Sequence, residues 1–362
     1  MPRGYGYGNA RLRAMRSRLL TEAEYGALLA KANSEELVSA LTETLYQADI
    51  EAALLRAEGA HCIFEAVRAN LTRTLRQITS FFEGEPLALV SLLLRRWDRH
   101  NLLTVLRGQK QEVSPEAVLS TVVPVGQLDE VSLRELARQP GLRAAIDLMV
   151  AWRLPYARVL RQAQTHADEL IGLDHLELAL NRFHYASLAE ALRSGQGDQA
   201  IMREHFQTEI DLLNLSTTLR LARIPGVTAL VSQRYNAQDI RPLLIEPAGH
   251  LPIQRLAELV ANDEGPEGVV RALSDTRYGP ALAAGWQRYQ AGEASLSVLE
   301  RELERWRARQ IAAMFTRQPL SIAIPIGYIG CKEIEVANLR LIAQAVTLGL
   351  PREQARRDLI IA

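Results

Sequence analysis

The chain has 362 residues and only two cysteines, Cys62 and Cys331, neither in a Cys-x-x-Cys pair. Two scattered thiols exclude a disulfide framework and suit a reducing compartment. An excess of charge of one sign is also lacking. Lys plus Arg and Asp plus Glu both number 42, for a formal net charge of zero. A general nucleic-acid binder needs surplus positive charge to displace counterions, so no nucleic-acid partner is expected. Long apolar runs are missing as well. The longest near the carboxyl end, residues 320–331, contains Pro325 and is far shorter than the roughly 20 residues a membrane helix needs. No continuous apolar segment opens the chain, so no secretory signal is expected. These absences point to a soluble, cytoplasmic chain without a transmembrane span of its own.

Catalytic signatures are absent in the same way. There is no Gly-x-x-x-x-Gly-Lys-Ser/Thr loop to cradle phosphate, and Gly327-x-x-Gly330-x-Lys332 is too short and falls within a helical pattern. There is no His-Glu-x-x-His, no Cys/His cluster at zinc spacing and no Gly-x-Ser-x-Gly elbow. His61, His100, His166, His175, His184, His205 and His250 show no metal-ligand spacing, and His61 and His184 read as packed or surface histidines. No catalytic residue, cofactor or metal is therefore assigned. Period-two alternation is missing too; the apolar runs 122–125 and 243–245 read as loops or helix ends. The fold class expected is all-α.

What the sequence does contain is a repeated motif. An acid followed three and four residues later by Asn-Leu occurs at Asp98/Asn101/Leu102, at Asp211/Asn214/Leu215 and at Glu335/Asn338/Leu339. Each copy sits in a helical apolar pattern, where positions i, i+3 and i+4 share a face. The acid and the amide therefore lie at the edge of a core and need partners, because unpaired burial costs roughly 1–3 kcal/mol per group. Backbone groups at a neighbouring helix end could meet them, or an Arg from an adjacent repeat. Arg107 and Arg220 stand five residues after the motif leucines, whereas the third copy has Gln344 there and Arg340 directly after Leu339. Flanking matches extend the repeat. Leu37-Val38-x-Ala40-Leu41-x-x-Thr44-x-Tyr46 aligns without a gap on Val269-Val270-x-Ala272-Leu273-x-x-Thr276-x-Tyr278, and Pro124-x-Gly126-x-Leu128 on Pro247-x-Gly249-x-Leu251. Three helical repeats follow, at 1–112, 113–233 and 234–362.

Local signals place the helices. Residues 2–8 read as an irregular lead, with Asn9 capping a helix to about Leu20 that carries Arg11, Arg13, Arg16 and Arg18. Those arginines are a candidate docking face for an acidic partner, weighed against an ordinary solvated helix face. Thr21-x-x-Glu24 is a capping box, and Ser34 opens the next helix. Residues 50–81 read as a long segment of helical pattern, Gly108 ends the helix of the first motif, Ser132 precedes the apolar Leu133 and Leu136, and Pro155 and Asp198 open further helices. The last long helix begins near Pro319 with a kink expected at Pro325, and its Gly327 and Gly330 permit a close backbone approach.

The motifs as a set carry a resemblance. The chain opens with Tyr7-Gly8-Asn9-Ala10-Arg11-x-Arg13-Ala14-Met15 and carries Trp97-Asp98-x-His100-Asn101-Leu102 with Leu106-Arg107. It closes with Gly327-Tyr328-Ile329-x-x-Lys332-Glu333-x-Glu335-x-x-Asn338-Leu339-Arg340 and then Gly349-Leu350-Pro351. This resembles the C subunit of archaeal and bacterial V-type (A-type) ATPases, the relative of the eukaryotic V-ATPase d subunit, from about residue 5 to 355. The resemblance implies a funnel of three similar helical domains about a pseudo-threefold axis. It implies a non-catalytic rotor subunit, one copy per complex, that joins the central-stalk subunits (D and F type) to the membrane proteolipid ring for proton or sodium transport. Such a chain sits peripherally on the membrane as part of the complex. The loop at 225–250 is longer than the resemblance leads one to expect. The competing class is a free-standing helical-repeat adaptor for a soluble protein or RNA, for which the Arg-rich first helix is the best support; an unrecognised all-α enzyme is third.

Overall fold

The computed structural model describes residues 4–361 except 166–172, 194, 236, 248 and 294. His166 therefore lies outside the described residues. No strand occurs among the described residues.

In chain order the helices are α1 (Tyr5–Arg16), α2 (Glu22–Leu29), α3 (Ser34–Leu41), α4 (Gln47–Leu54), α5 (Gly59–Thr79), α6 (Gly84–Lys110) and α7 (Pro115–Leu119). They continue with α8 (Glu130–Ala137), α9 (Leu142–Ala151), α10 (Ala157–Thr165), α11 (Leu173–Ala191), α12 (Asp198–Ala222) and α13 (Val227–Tyr235). After a 3-10 turn at Arg241–Leu243 come α14 (Ile253–Ala261), α15 (Gly265–Ala272), α16 (Gly279–Gln290), α17 (Ser297–Arg317), α18 (Ala323–Leu348) and α19 (Arg352–Asp358).

Short polar side chains start many of these helices. Thr21 and Glu24 form the reciprocal capping box of α2, Asn33 caps α3, Ser114 caps α7 and Asp129 caps α8. Several expectations need correction. Helix α1 begins a turn before Asn9, and Asn9 is buried in its middle, donating from Nδ2 to the carbonyls of Pro319 and Ser321 at 2.9 Å each. Residues 50–81 are two helices, interrupted at 55–58, with Gly59 at a left-handed φ of 56°. Gly108 lies within the last turn of α6, where a Cβ would overlap Val118; it is a close-contact glycine, not the end of the helix. Asp129 caps α8 by accepting the Ser132 N–H, and Gly197, not Asp198, stands at the N-cap of α12. Helix α18 starts at Ala323, so Pro325 occupies its first turn, where its missing N–H costs nothing. Its end at Gly349 (φ 63°) is a left-handed cap. Gly327 and Gly330 do bring α18 close: a Cβ on either would press into Phe315 or Ile311 of α17.

The chain divides into two compact units, Met1–Leu142 with Ala308–Ala362, and Arg143–Arg307. In the first, α18 packs on α5, α1, α2 and α3, and α6 packs on α7 and α8. Its core includes Leu12, Leu41, Tyr46, Ile63, Leu102 and Ile342, all inaccessible to solvent. In the second, α12 packs on α14 and α15, which pack on each other, over Leu215, Leu219, Leu256, Val269, Leu273 and Leu282.

The order of elements recurs along the chain. Two helices of eight to ten residues, then a buried Tyr immediately before a third helix, then two long helices, run as α2-α3-Tyr46-α4-α5-α6, α8-α9-Tyr156-α10-α11-α12 and α14-α15-Tyr278-α16-α17-α18. The last helix of each series carries the acid-x-x-Asn-Leu motif. A connector follows each series, containing α7, α13 or α19.

Candidate functional site

The motif residues converge on the connectors, and they do so in the same way each time. Asn101 donates from Nδ2 to the Val123 carbonyl at 2.8 Å and accepts the Val123 N–H at 2.8 Å. Asn214 makes the same pair with Ile245, at 3.2 and 2.8 Å, and Asn338 with Ile360, at 2.7 and 3.0 Å. A primary amide suits this task because it presents one donor and one acceptor in a plane, matching one residue's C=O and N–H. The residue so held is the second of a buried apolar pair: Val122-Val123, Leu244-Ile245 or Leu359-Ile360. In the sequence the first two pairs read only as plain apolar runs; they are what the motif grips.

The acid holds the other end of the connector. Asp98 accepts the amides of Gln127 and Leu128 at 2.9 Å each, and Asp211 those of His250 and Leu251 at 2.9 and 3.0 Å. Glu335 accepts the Leu20 amide at 2.6 Å. Leu128, Leu251 and Leu20 each directly precede the N-cap residue of the next short helix, Asp129, Pro252 or Thr21. The carboxylate therefore fixes where that helix begins. Gly126 and Gly249 explain the Pro-x-Gly-x-Leu match: a Cβ on either would overlap the Asp98 or Asp211 carboxylate.

Two further partners carry no signal of their own in the sequence, although the stretches that hold them align. Tyr278 donates its hydroxyl to Asp211 at 2.7 Å, and Tyr46 donates to Glu335 at 2.6 Å. In the third clamp Lys332 also donates, to Glu335 at 2.6 Å and to the Tyr46 hydroxyl at 2.8 Å. Lys332 and Glu335 are each 1% exposed. The motif leucines Leu102, Leu215 and Leu339 fill the core beside the clamps.

Burial sets the electrostatics. It raises the Asp98 carboxyl above its ordinary value against the pull of the two amides, and it raises Asp211 against Tyr278 and two amides. It pushes the Tyr46 and Tyr278 phenols up, with the adjacent carboxylates adding to the shift. The Lys332 ammonium is pushed down by burial, partly offset by Glu335.

Backbone amides and phenols, not the motif arginines, meet the acids. Arg220 instead pairs with Glu300 at the surface, and Arg107 is exposed in the last turn of α6. The arginines of α1 are engaged within the first unit. Arg11 lies over the rings of Tyr7 and Phe81, Arg13 donates to the Phe315 carbonyl, and Arg16 sits 4.0 Å from the Phe315 ring centroid. Arg18 is exposed. The connector at 225–250 supplies both Ile245 and the His250 amide, and it contains α13 and the 3-10 turn. Among the described residues, no group of three His, Cys, Asp or Glu side chains could hold a metal ion, and no helix is long and apolar enough to cross a membrane.

Known proteins are similar to this chain along almost its whole length. The family described as ATP synthase (C/AC39) subunit matches residues 8–358. The C subunit of the A-type ATP synthase of Haloferax volcanii is 28% identical over 355 residues, which cover 98% of this chain and 97% of that one. The C subunit of the A-type ATP synthase of Methanosarcina mazei is 26% identical over 358 residues, which cover 99% and 93%. The C subunit of the V-type ATP synthase of Deinococcus radiodurans is 25% identical over 358 residues, which cover 99% and 92%.

Proposed function

The chain belongs to the ATP synthase (C/AC39) subunit family, and on that premise we propose that it is a non-catalytic rotor subunit of a V/A-type rotary ATPase. In this reading it is a socket between the central-stalk subunits (D and F type) and the membrane proteolipid ring. One copy per complex sits peripherally on the cytoplasmic side and passes torque during proton or sodium transport. The observation that carries the reading is the family match across residues 8–358.

The physical chemistry suits the role. A coupling part must resist deformation, and close-packed helices transmit strain with little compression. In this reading the three repeats, at 1–112, 113–233 and 234–362, surround a pseudo-threefold axis as a funnel. Asp98, Asn101, Asp211, Asn214, Glu335 and Asn338 serve as internal ties and do not touch the stalk. Each tie fixes a connector at two points, so a helix cannot rotate without breaking buried hydrogen bonds. The net charge of zero agrees with a polar lining that accepts a protein foot and not a polyanion.

The test is co-elution. The purified chain is mixed with the two central-stalk subunits and, separately, with the detergent-solubilised proteolipid ring. Elution with both, at one copy per complex, is expected. Elution with neither, at low and moderate salt, overturns the proposal.

A further inference from the structure

The three clamps share one plan, and the third departs from it in chain continuity. In the first, the peptide runs unbroken from Val123, held by Asn101, to Gln127 and Leu128, held by Asp98. In the second it runs unbroken from Ile245 to His250 and Leu251. In the third, Asn338 holds Ile360 and Glu335 holds Leu20, so the two held residues lie near opposite ends of the chain. Helix α19, the pair Leu359-Ile360, Leu20, the N-cap Thr21 and helices α2 and α3 stand in the order that α13, Leu244-Ile245, Leu251, Pro252, α14 and α15 take in the second connector. Tyr46 then meets Glu335 as Tyr278 meets Asp211.

We infer that the chain is a cyclic series of three repeats cut open inside its third connector, and that the buried Lys332–Glu335–Tyr46 group closes the cut. This rests on the three-repeat reading but not on the rotor role: it holds or fails whatever the chain docks to. It also shifts the repeat frame, because the third repeat's acid is completed by residues 20–46 and not within 234–362.

The staple differs from the other two clamps in a way the cut explains. A connector of a few residues keeps its ends close at small entropic cost; two chain ends separated by more than three hundred residues lose that help. The third clamp also has one backbone amide on its carboxylate where the others have two. Lys332 is present where Arg95 and Thr208 stand three residues before the other acids. It donates to the Glu335 oxygen opposite the one that takes the Leu20 amide, and its ammonium lies 4.5 Å from the Tyr46 ring centroid. Only three of the 42 basic residues are lysines, Lys31, Lys110 and Lys332. A lysine fits here because a compact ammonium can bond a carboxylate and a phenol at once without the planar fork of a guanidinium.

The test compares the linear chain with one whose backbone is cyclised head to tail through a Gly/Ser linker of ~15 residues, spanning ~20 Å. The readout is native-state hydrogen exchange at the Leu20 and Ile360 amides, with His250 and Ile245 as internal references. In the linear chain Lys332→Met is expected to speed exchange at Leu20 and Ile360 together by about 150-fold or more, as removal of one partner of a buried ion pair does, and to leave the reference amides unchanged. In the cyclic chain the same substitution is expected to speed exchange by no more than about tenfold, because the linker now limits fraying. Tyr46→Phe removes both hydrogen bonds of the phenol, the one to Glu335 and the one from Lys332, and keeps the charge pair, so it provides the same comparison should Lys332→Met not fold. Equal acceleration in linear and cyclic chains overturns the inference. So does faster exchange at Leu20 and Ile360 on cyclisation alone, since it means the ends do not stand where a connector would.

Discussion

Replacing Asn214 by alanine separates a structural tie from a binding contact. The side chain is 1% exposed and pairs with the backbone of Ile245. Its loss leaves one buried N–H and one buried C=O without a partner. Each costs roughly 1–3 kcal/mol, and because the connector can shift to admit water the sum falls toward the lower end, about 3 kcal/mol. That corresponds to an opening constant raised about 150-fold. Native-state hydrogen exchange reads it directly: amides of α12, α14 and α15 are expected to lose protection, and those of α5 and α18 in the other unit to keep theirs. Asn214→Asp is the companion variant. It keeps the acceptor for the Ile245 N–H but sets a carboxylate against the Ile245 carbonyl, one turn from Asp211, so it is expected to cost at least as much as alanine. If Asn214→Ala left exchange and melting unchanged while central-stalk binding disappeared, the residue would be a contact and the reasoning wrong.

Two further outcomes are expected from the same geometry. Gly249→Ala and Gly126→Ala should each destabilise the chain by about 1–3 kcal/mol, the range for overpacking, because a Cβ displaces a buried carboxylate; in an ordinary loop Gly→Ala stabilises by roughly 0.4–1 kcal/mol, so the sign of the change in urea melts decides the matter. The second concerns pH: burial raises the folded-state pKa of Asp211 above 3.8, so in the window between the two values the folded chain binds more protons than the unfolded one and the stability this group contributes rises as pH falls. The deficit of Asp211→Asn relative to the parent is therefore expected to grow between pH 7 and pH 4 in urea titrations, and a deficit that shrinks toward acid would show that the amides and Tyr278 outweigh burial.

Much of this architecture is legible in the chain, and the illegible parts share a cause. Helix caps such as Thr21–Glu24 and Ser114, and the glycine contacts at 327 and 330, are set by residues whose chemistry is local and plain. Asn9 misleads because an Asn before a basic amphipathic run has the look of a cap; its real partners are carbonyls 310 and 312 positions away. Gly108 and Pro325 mislead because their local chemistry is that of breakers. One is a glycine because Val118 presses on it, and the other is harmless because it lies in a first turn. The sequence shows that acid, amide and leucine need partners, but it leaves backbone and Arg equally open. Choosing the backbone requires knowing that the unremarkable pairs 122–123, 244–245 and 359–360 come to the motif helices, which is a long-range fact.

The third motif shows how a broken pattern carries information. By itself, Glu335 in place of Asp and Gln344 in place of Arg look like erosion of a repeat. Glutamate has one more methylene, and its amide partner, Leu20, precedes Thr21 without a glycine two positions earlier: Arg18 occupies the place of Gly126 and Gly249. A shorter acid would need the backbone to approach as closely as it does at Gly126 and Gly249, and an arginine's Cβ forbids that approach. The longer acid and the lost glycine therefore explain each other. Lys332 follows from the same change, because a buried carboxylate reached by one amide instead of two has lost a donor, and Lys332 supplies one beside Tyr46 on the oxygen that Leu20 does not reach. The divergence is thus coordinated around the chain ends, and it marks the one connector in which the peptide is not continuous.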